Sequence, residues 1–197
     1  MLPSVTGRGD LIPDTLWLRG YYFTRAAVAA GWVVLAVAVG RTMPHIAGPL
    51  LVAYPAWDAL ANWADAKRNG GLGRNKSQTL NFVASSITAV AVAIAVGSSI
   101  NAAIFVFGIW AALAGIFQLV TAVRRWRSYG GQWAMALSGA QSALAGAFFL
   151  HKASGARLPD ITVVAPYAAF GAFYFLVSSV WLTVAMYRRG AASSTSS

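Results

Sequence analysis

The chain has 197 residues, of which 58% are apolar and only 10% are charged, and its formal net charge at pH 7 is +10. So few charges cannot cover a water-soluble surface, so the composition predicts an integral membrane protein. The basic residues lie in short clusters between apolar runs, which argues for membrane topology and against nucleic acid as a partner, and the absence of cysteine excludes disulfides and thiolate chemistry.

Six apolar segments follow a polar amino-terminal stretch. Residues 1–16 are interrupted by proline and lack the apolar core of a cleavable signal peptide, so we expect a cytoplasmic arm. Residues 17–189 form the predicted transmembrane domain, in which each segment is close to the roughly 20 residues that a membrane-spanning helix needs. Residues 190–197, rich in Ser and Ala, are predicted to be disordered. The predicted helices cover approximately residues 17–39, 46–63, 79–96, 102–123, 132–150 and 161–187.

The predicted fold is an all-α integral membrane protein whose six transmembrane helices form three sequential hairpins. These hairpins cover residues 17–66, 79–123 and 132–189, and a basic turn joins the last two. A short pattern recurs in the second helix of each hairpin, which predicts an approximate threefold internal repeat. The aligned positions are Phe107, Gly108, Ile109, Trp110 and Leu113, then Tyr54, Pro55, Ala56, Trp57 and Leu60, then Phe170, Gly171, Ala172, Phe173 and Leu176.

The fourth and fifth predicted helices are expected to pack closely, because their connection is short and both carry small residues seven positions apart. Small residues allow membrane helices to approach closely where lipid supplies no hydrophobic drive. The residues concerned are Gly108, Gly115, Gly139 and Gly146. Gln118 and Gln141 lie within the same two helices, where they are expected to form interhelical hydrogen bonds of about 0.6 kcal/mol each, or alternatively to line a path for polar solutes.

The distribution of Lys and Arg predicts the orientation of the chain. Twelve of the fifteen lie in the amino-terminal part, the 67–77 connection, the 124–127 turn and the carboxyl end, and the other three are Arg41, Lys152 and Arg157. The positive-inside rule then places both termini in the cytoplasm. The 67–77 connection is predicted to be a flexible basic loop that contacts anionic lipid headgroups, each cation contributing about 1 kcal/mol.

Two charged residues within the predicted helices require a physical account, because an ionised side chain in a bilayer costs about 2.5–3.5 kcal/mol. Arg25 and Asp58 are both expected in the cytoplasmic third of neighbouring antiparallel helices, where a structural ion pair would fix the register of the hairpin, or Arg25 would extend to the interface. The alternative is a polar path or proton site along one face of the second helix. That face carries Asp58, Asn62 and Asp65, at spacings i, i+4 and i+7.

The remaining candidates for chemistry are sparse. His45 and His151 fall at the outer ends of their hairpins and are too few for a metal site. They are either ordinary loop residues or an outward pH sensor, since an imidazole titrates near pH 6.5. The sequence shows no set of nucleophile, base and orienting residue, so it predicts neither an enzyme nor a bound cofactor or metal.

The carboxyl half of the chain carries the most specific pattern. Residues 107–126 read FGIWAALAGIFQLVTAVRRW, Gly130-Gly131-Gln132-Trp133 begins the fifth helix, and residues 138–146 read SGAQSALAG. This segment resembles the HdeD-type family of short-repeat bacterial membrane proteins. The matching residues are Gly108, Trp110, Gly115, Gln118, Arg124, Trp133, Gly139 and Gly146, and Gly171, Arg188 and Arg189 fit the pattern in the sixth helix.

This resemblance implies a six-helix protein of the bacterial inner membrane, linked in some members to acid resistance, with no established catalytic activity. Pro55 and Asp58 depart from the family pattern, so the resemblance does not assign a role to the second helix.

Two functions are therefore expected as alternatives. The first is a non-enzymatic inner-membrane protein that acts in stress or acid tolerance through the membrane or through protein partners. The second is a small-solute or proton transporter or channel that uses the Asp58 face. They differ in whether the polar residues line a continuous water path or each pair with a neighbouring helix; assembly into a homo-oligomer is left open by the sequence.

Overall fold

The computed structural model describes residues 11–125, 132–155 and 159–194, and within these ranges it is entirely helical and without β-strands. A π-helical turn (Ala36–Gly40) continues the first helix, and a 3-10 turn (Ile161–Val163) precedes the last. The α-helices are α1 (Leu11–Leu35), α2 (Pro44–Arg68), α3 (Lys76–Val96), α4 (Ile100–Arg125), α5 (Gln132–Ser154) and α6 (Ala165–Ser194).

Four of these helical segments are long and apolar enough to cross a membrane, among the residues that the structure describes. Their mean hydropathy ranges from 1.7 to 2.2, and between 6% and 33% of each is buried inside the protein. Apolar helices with so much exposed surface are stable only where lipid covers them. The segments are Thr15–Gly40, Lys76–Val96, Ile100–Val120 and Ile161–Arg188. The chain is therefore an all-helical membrane protein.

Several helices are longer than the sequence predicts. α1 begins at Leu11, α2 continues to Arg68, and α6 extends to Ser194, into the segment whose composition predicts disorder. Because α2 is extended at both ends, Asp58 lies near its middle and not in its last third. The amino-terminal arm up to residue 10, the basic corner at residues 126–131 and the connection residues 156–158 lie outside the described residues.

The chain divides into two compact units, of which the first combines Met1–Gly31 with Ala168–Ser197. In this unit α1 and α6 run antiparallel. The rings of Tyr22 and Phe175 stack with centroids 6.0 Å apart, and the Ser179 hydroxyl donates a hydrogen bond of 3.2 Å to the Arg19 carbonyl. These contacts join two helices that are more than a hundred residues apart in the sequence.

The second unit, Trp32–Tyr167, contains α2 to α5 packed as sequential antiparallel neighbours. The contact of α4 with α5 is the most extensive, followed by α2 with α3 and then α3 with α4. The connection between α3 and α4 is only Gly97–Ser99, so these helices have to lie side by side. The predicted grouping of helices 1 with 2 and 5 with 6 into separate hairpins stays a prediction.

An aromatic cluster forms the core of the second unit near one end of its helices. Phe107 is fully buried, Phe149 is 2% exposed, and the ring centroids of neighbouring members lie 5.1–6.5 Å apart. Edge-to-face pairs of this kind contribute about 0.5–1.5 kcal/mol each beyond their buried area. The members are Trp32, Tyr54, Phe107, Trp110, Phe149 and Tyr167.

α2 is continuous through two internal prolines, Pro49 and Pro55. Each proline lacks an N–H group and leaves a carbonyl one turn earlier without its helical donor. Between them, the indole Nε1 of Trp32 donates a hydrogen bond of 2.7 Å to the Leu50 carbonyl. Trp32 is 5% exposed, so this bond attaches the end of α1 to α2 in a region shielded from water.

Candidate functional site

The centre of α2 carries a carboxylate that is paired with α3. Asp58 Oδ2 accepts hydrogen bonds from Ser85 Oγ at 2.7 Å and from Asn62 Nδ2 at 3.0 Å. Asn62 also donates to the Asp58 carbonyl at 2.8 Å. Ser85 is 1% exposed and Asn62 is 7% exposed, so this group of polar atoms lies between the two helices. Asp58 and Asn62, which the sequence singles out, are thus in direct contact.

A second carboxylate repeats the arrangement two turns along α2. Asp65 Oδ2 accepts a hydrogen bond from Gln78 Nε2 at 3.1 Å, and its Oδ1 accepts one from Asn69 Nδ2 at 2.7 Å. Asp58 and Asp65 are seven residues apart on α2, and their partners Ser85 and Gln78 are seven residues apart on α3. One antiparallel register therefore satisfies both carboxylates, and we call Asp58, Asn62, Asp65, Gln78 and Ser85 the polar ladder.

The chemistry of the polar ladder is hydrogen bonding between helices. Its donors include the Ser85 hydroxyl and the amides of Asn62 and Gln78. In residues 11–125, 132–155 and 159–194, no cluster of three His, Asp or Glu side chains is suited to hold a metal ion. The ladder thus supplies both α2 carboxylates with hydrogen-bond donors from side chains.

Arg25, the other charged residue within a predicted helix, is surrounded by aromatic rings in the first unit. Its Nη1 donates a hydrogen bond of 3.0 Å to the Tyr21 hydroxyl, and its Cζ lies 4.2 Å from the centroid of the Phe175 ring and 5.7 Å from that of Tyr21. The face of an aromatic ring attracts a cation by about 2 kcal/mol or more where water is excluded. The predicted ion pair of Arg25 with Asp58 stays a prediction.

The contact of α4 with α5 is formed by the four glycines that the sequence indicates. A Cβ atom placed on Gly115 would lie 2.3 Å from Ala143 N, and one on Gly146 would lie 2.3 Å from Ala112 N. Cβ atoms on Gly108 and Gly139 would lie 3.1 Å and 2.9 Å from backbone oxygens of the facing helix. The backbones of the two helices therefore touch, and no side chain fits between them.

Polar residues flank this glycine contact. The Ser142 hydroxyl donates to the Ala111 carbonyl at 3.3 Å and shares a hydrogen bond of 3.1 Å with the Tyr167 hydroxyl. Gln118 and Gln141 are both half-buried, and Gln118 Cβ lies 3.0 Å from where a Cβ on Gly139 would stand. The interhelical hydrogen bonds expected of the two glutamines stay predictions.

The other residues singled out from the sequence lie apart from the polar ladder. His45 is the second residue of α2 and His151 lies in the last turn of α5, and both are exposed. Gly171 is half-buried in the part of α6 that belongs to the first unit. The pH-sensing role of the histidines and the packing role of Gly171 stay predictions.

Sequence reasoning missed the α3 side of the polar ladder. Ser85 and Gln78 were not singled out, and α3 carries several other polar residues, so a spacing of seven positions does not distinguish this pair. Ser85, Thr88 and Val92 are the buried residues of α3, and they follow helical spacing on one face. The spacing rule that identified the α2 face therefore leaves its partner on α3 ambiguous, because Thr79 and Ser86, and Asn81 and Thr88, are also seven positions apart.

The comparisons with known proteins concern the middle of the chain. Residues 83–151, about a third of the chain, match the model of a family described as a short repeat of unknown function (DUF308), a family that includes HdeD-like membrane proteins. No curated protein and no solved structure matches the chain. The match extends from α3 almost to the end of α5, so it contains the whole glycine contact and the α3 side of the Asp58 pair, and the matched family has no assigned function.

Proposed function

We propose that the protein is a non-enzymatic bacterial inner-membrane protein of the HdeD type that acts in stress or acid tolerance through the membrane or through protein partners. The observation that carries the proposal is the pairing of each α2 carboxylate with an α3 side chain in one register. Such pairing is expected of a helix bundle that is stabilised internally. The family match over residues 83–151 supports the HdeD-type assignment.

The proposed membrane arrangement has six spans with both termini in the cytoplasm. α2 has 25 residues, a length of about 37 Å, which exceeds the hydrocarbon thickness of about 30 Å. α2 and α5 lie antiparallel to the candidate spans α3 and α4, so we infer that they cross the membrane with them. The excess of Lys and Arg at one set of helix ends sets the orientation.

Because the chain contains no cysteine, single cysteines test this arrangement cleanly. We expect Gly73→Cys, in the α2–α3 connection, to react with a membrane-impermeant maleimide only after the cells are permeabilised. Ser98→Cys, in the α3–α4 connection, is the matched control and should react in intact cells; both positions are exposed in the protein. Labelling of Gly73→Cys in intact cells would refute the orientation.

The functional test combines survival with flux. Deleting the gene should reduce survival of the host after acid stress, and the wild-type chain should restore it. Purified protein in liposomes should conduct neither protons nor small organic acids above the level of empty liposomes. Unchanged survival of the deletion strain would reject the stress role.

The alternative is a transporter, which is favoured by the position of Asp58, Asn62 and Asp65 on one partly buried face of α2. Flux through liposomes that Asp58→Asn abolishes would establish it in place of the proposed function. Flux that survives this substitution would point to a path elsewhere in the bundle.

A further inference from the structure

The connection between α2 and α3 is the most basic segment of the described chain. Four cationic side chains lie within ten consecutive residues, and all four are exposed. They are Lys67, Arg68, Arg74 and Lys76. Asp65, the acidic residue beside them, accepts hydrogen bonds from Asn69 and Gln78, so the segment from residue 65 to residue 76 carries a net charge of +3.

The loop of residues 69–75, which the sequence predicts to be flexible, contains hydrogen bonds of its own. The Asn75 amide donates to the carbonyls of Asn69 at 2.7 Å and Gly71 at 2.8 Å, across the interior of the loop. The Thr79 hydroxyl donates to the Leu72 carbonyl at 2.6 Å. Asn75 thus acts as a brace that fixes the loop backbone.

Two glycines give the loop its shape. Gly70 and Gly71 both have φ of +92°, a conformation that residues with a Cβ rarely adopt. A Cβ on Gly70 would lie 3.2 Å from Arg74 Cδ, so the Arg74 side chain folds back over this glycine. The chain therefore holds the Arg74 side chain against a fixed backbone turn.

A membrane that spans the candidate segment Lys76–Val96 would place the loop at the depth of lipid headgroups. The candidate span Lys76–Val96 begins at Lys76, so the residues just before it are at the membrane surface. On the α2 side, Lys67 Nζ lies 4.9 Å from the centroid of the Trp63 ring, and tryptophan is enriched at membrane interfaces. Cations at this depth face the phosphate layer of the bilayer.

We propose that this loop is a binding site for the phosphate of an anionic phospholipid headgroup, with Arg74 and Lys76 as ligands and Asn75 as the residue that positions the backbone between them. A fixed loop loses less conformational freedom on binding than a flexible one, which favours one lipid held at one place over diffuse attraction. The site is independent of the proposed stress function, because it requires only that α3 spans the membrane.

The test uses the full chain purified in an uncharged detergent, with the unfolding midpoint measured against added phosphatidylglycerol or phosphatidylcholine. We expect phosphatidylglycerol, but not phosphatidylcholine, to raise the unfolding midpoint. Replacing Arg74 and Lys76 by Gln should weaken the apparent affinity about fivefold for each cation removed. The matched control is Arg41→Gln with Lys152→Gln, which removes two exposed cations at the helix ends that lie away from the α2–α3 loop. This control should change the apparent affinity less than about twofold.

Asn75→Ala separates a built site from a cluster of charges, because it keeps every cation and removes the brace. It should weaken phosphatidylglycerol binding while the response to phosphatidylcholine is unchanged. If the double substitutions at Arg74/Lys76 and at Arg41/Lys152 weakened phosphatidylglycerol binding equally, the proposal would be overturned in favour of diffuse electrostatic attraction. Stabilisation by inorganic phosphate alone, to the same extent as by the lipid, would overturn the lipid as the ligand.

Discussion

Replacing Gly115 by Ala tests the contact between α4 and α5 most directly. The added Cβ would lie 2.3 Å from Ala143 N and 2.5 Å from Gly139 O. Both are backbone atoms, so no side-chain rotation relieves the clash, and the helices have to separate by about 1 Å to restore an ordinary contact. Overpacking of this kind costs about 1–3 kcal/mol, of which the higher helix propensity of Ala recovers at most about 1 kcal/mol. Because both clashes are with backbone atoms, we take a cost of about 2–3 kcal/mol, and subtracting about 1 kcal/mol for helix propensity leaves a net loss of about 1–2 kcal/mol.

Gly31→Ala is the matched control for this substitution. Gly31 also lies within an α-helix, but a Cβ there has no atom within 4 Å. The same chemical change should therefore leave stability unchanged or raise it by up to about 1 kcal/mol. If the change in stability is negative for Gly115→Ala and zero or positive for Gly31→Ala, the difference reports the steric contact and not helix propensity.

The assay is equilibrium unfolding of each variant in mixed micelles, with increasing sodium dodecyl sulfate and helix content followed by circular dichroism. We expect the midpoint of Gly115→Ala to fall below that of the wild type and the midpoint of Gly31→Ala to equal or exceed it. If Gly115→Ala behaved like Gly31→Ala, the backbones of α4 and α5 would not be in contact and the reasoning would be refuted.

Three further substitutions follow from the contacts of α2 and use the same unfolding assay. Ser85→Ala removes a hydrogen bond from Asp58 and should cost about 0.6–2 kcal/mol; an unchanged midpoint would count against the pair. Trp32→Phe removes the indole donor and replaces the indole by a smaller ring in a buried site, so it should cost at least about 0.5–1.5 kcal/mol. Gly48→Ala places a Cβ 2.5 Å from Val96 Cγ1, so it should destabilise the wild type but be tolerated together with Val96→Ala. Additive effects of these last two changes would contradict their contact.

Residue spacing alone is sufficient to indicate the α4–α5 contact. On both helices the small residues are seven positions apart, which corresponds to two helical turns. The short connection between the helices requires them to be antiparallel neighbours. Gly115 and Gly146 then meet backbone atoms of the facing helix. Local sequence is sufficient here because both helices show the same seven-residue spacing of small residues and follow each other directly in the chain.

The composition of the first unit could not be predicted in the same way. Tyr22 and Phe175 stack although they are separated by almost the whole chain, and aromatic residues are common throughout the predicted helices. A periodic pattern shows which face of a helix is distinctive but not which distant helix covers it. The environment of Arg25, formed in part by Phe175, was unpredictable for this reason.

The α2–α3 pair shows how three local contacts restrict a whole helix. Gly48 meets Val96, Asp58 meets Ser85 and Asp65 meets Gln78, along about 25 Å of α2. One contact would allow α2 to rotate or slide, but three contacts of different chemistry are satisfied together only in one register. A transport cycle that moved the polar face of α2 past α3 would have to break all three contacts. The pairing therefore favours a motion in which the two helices move together.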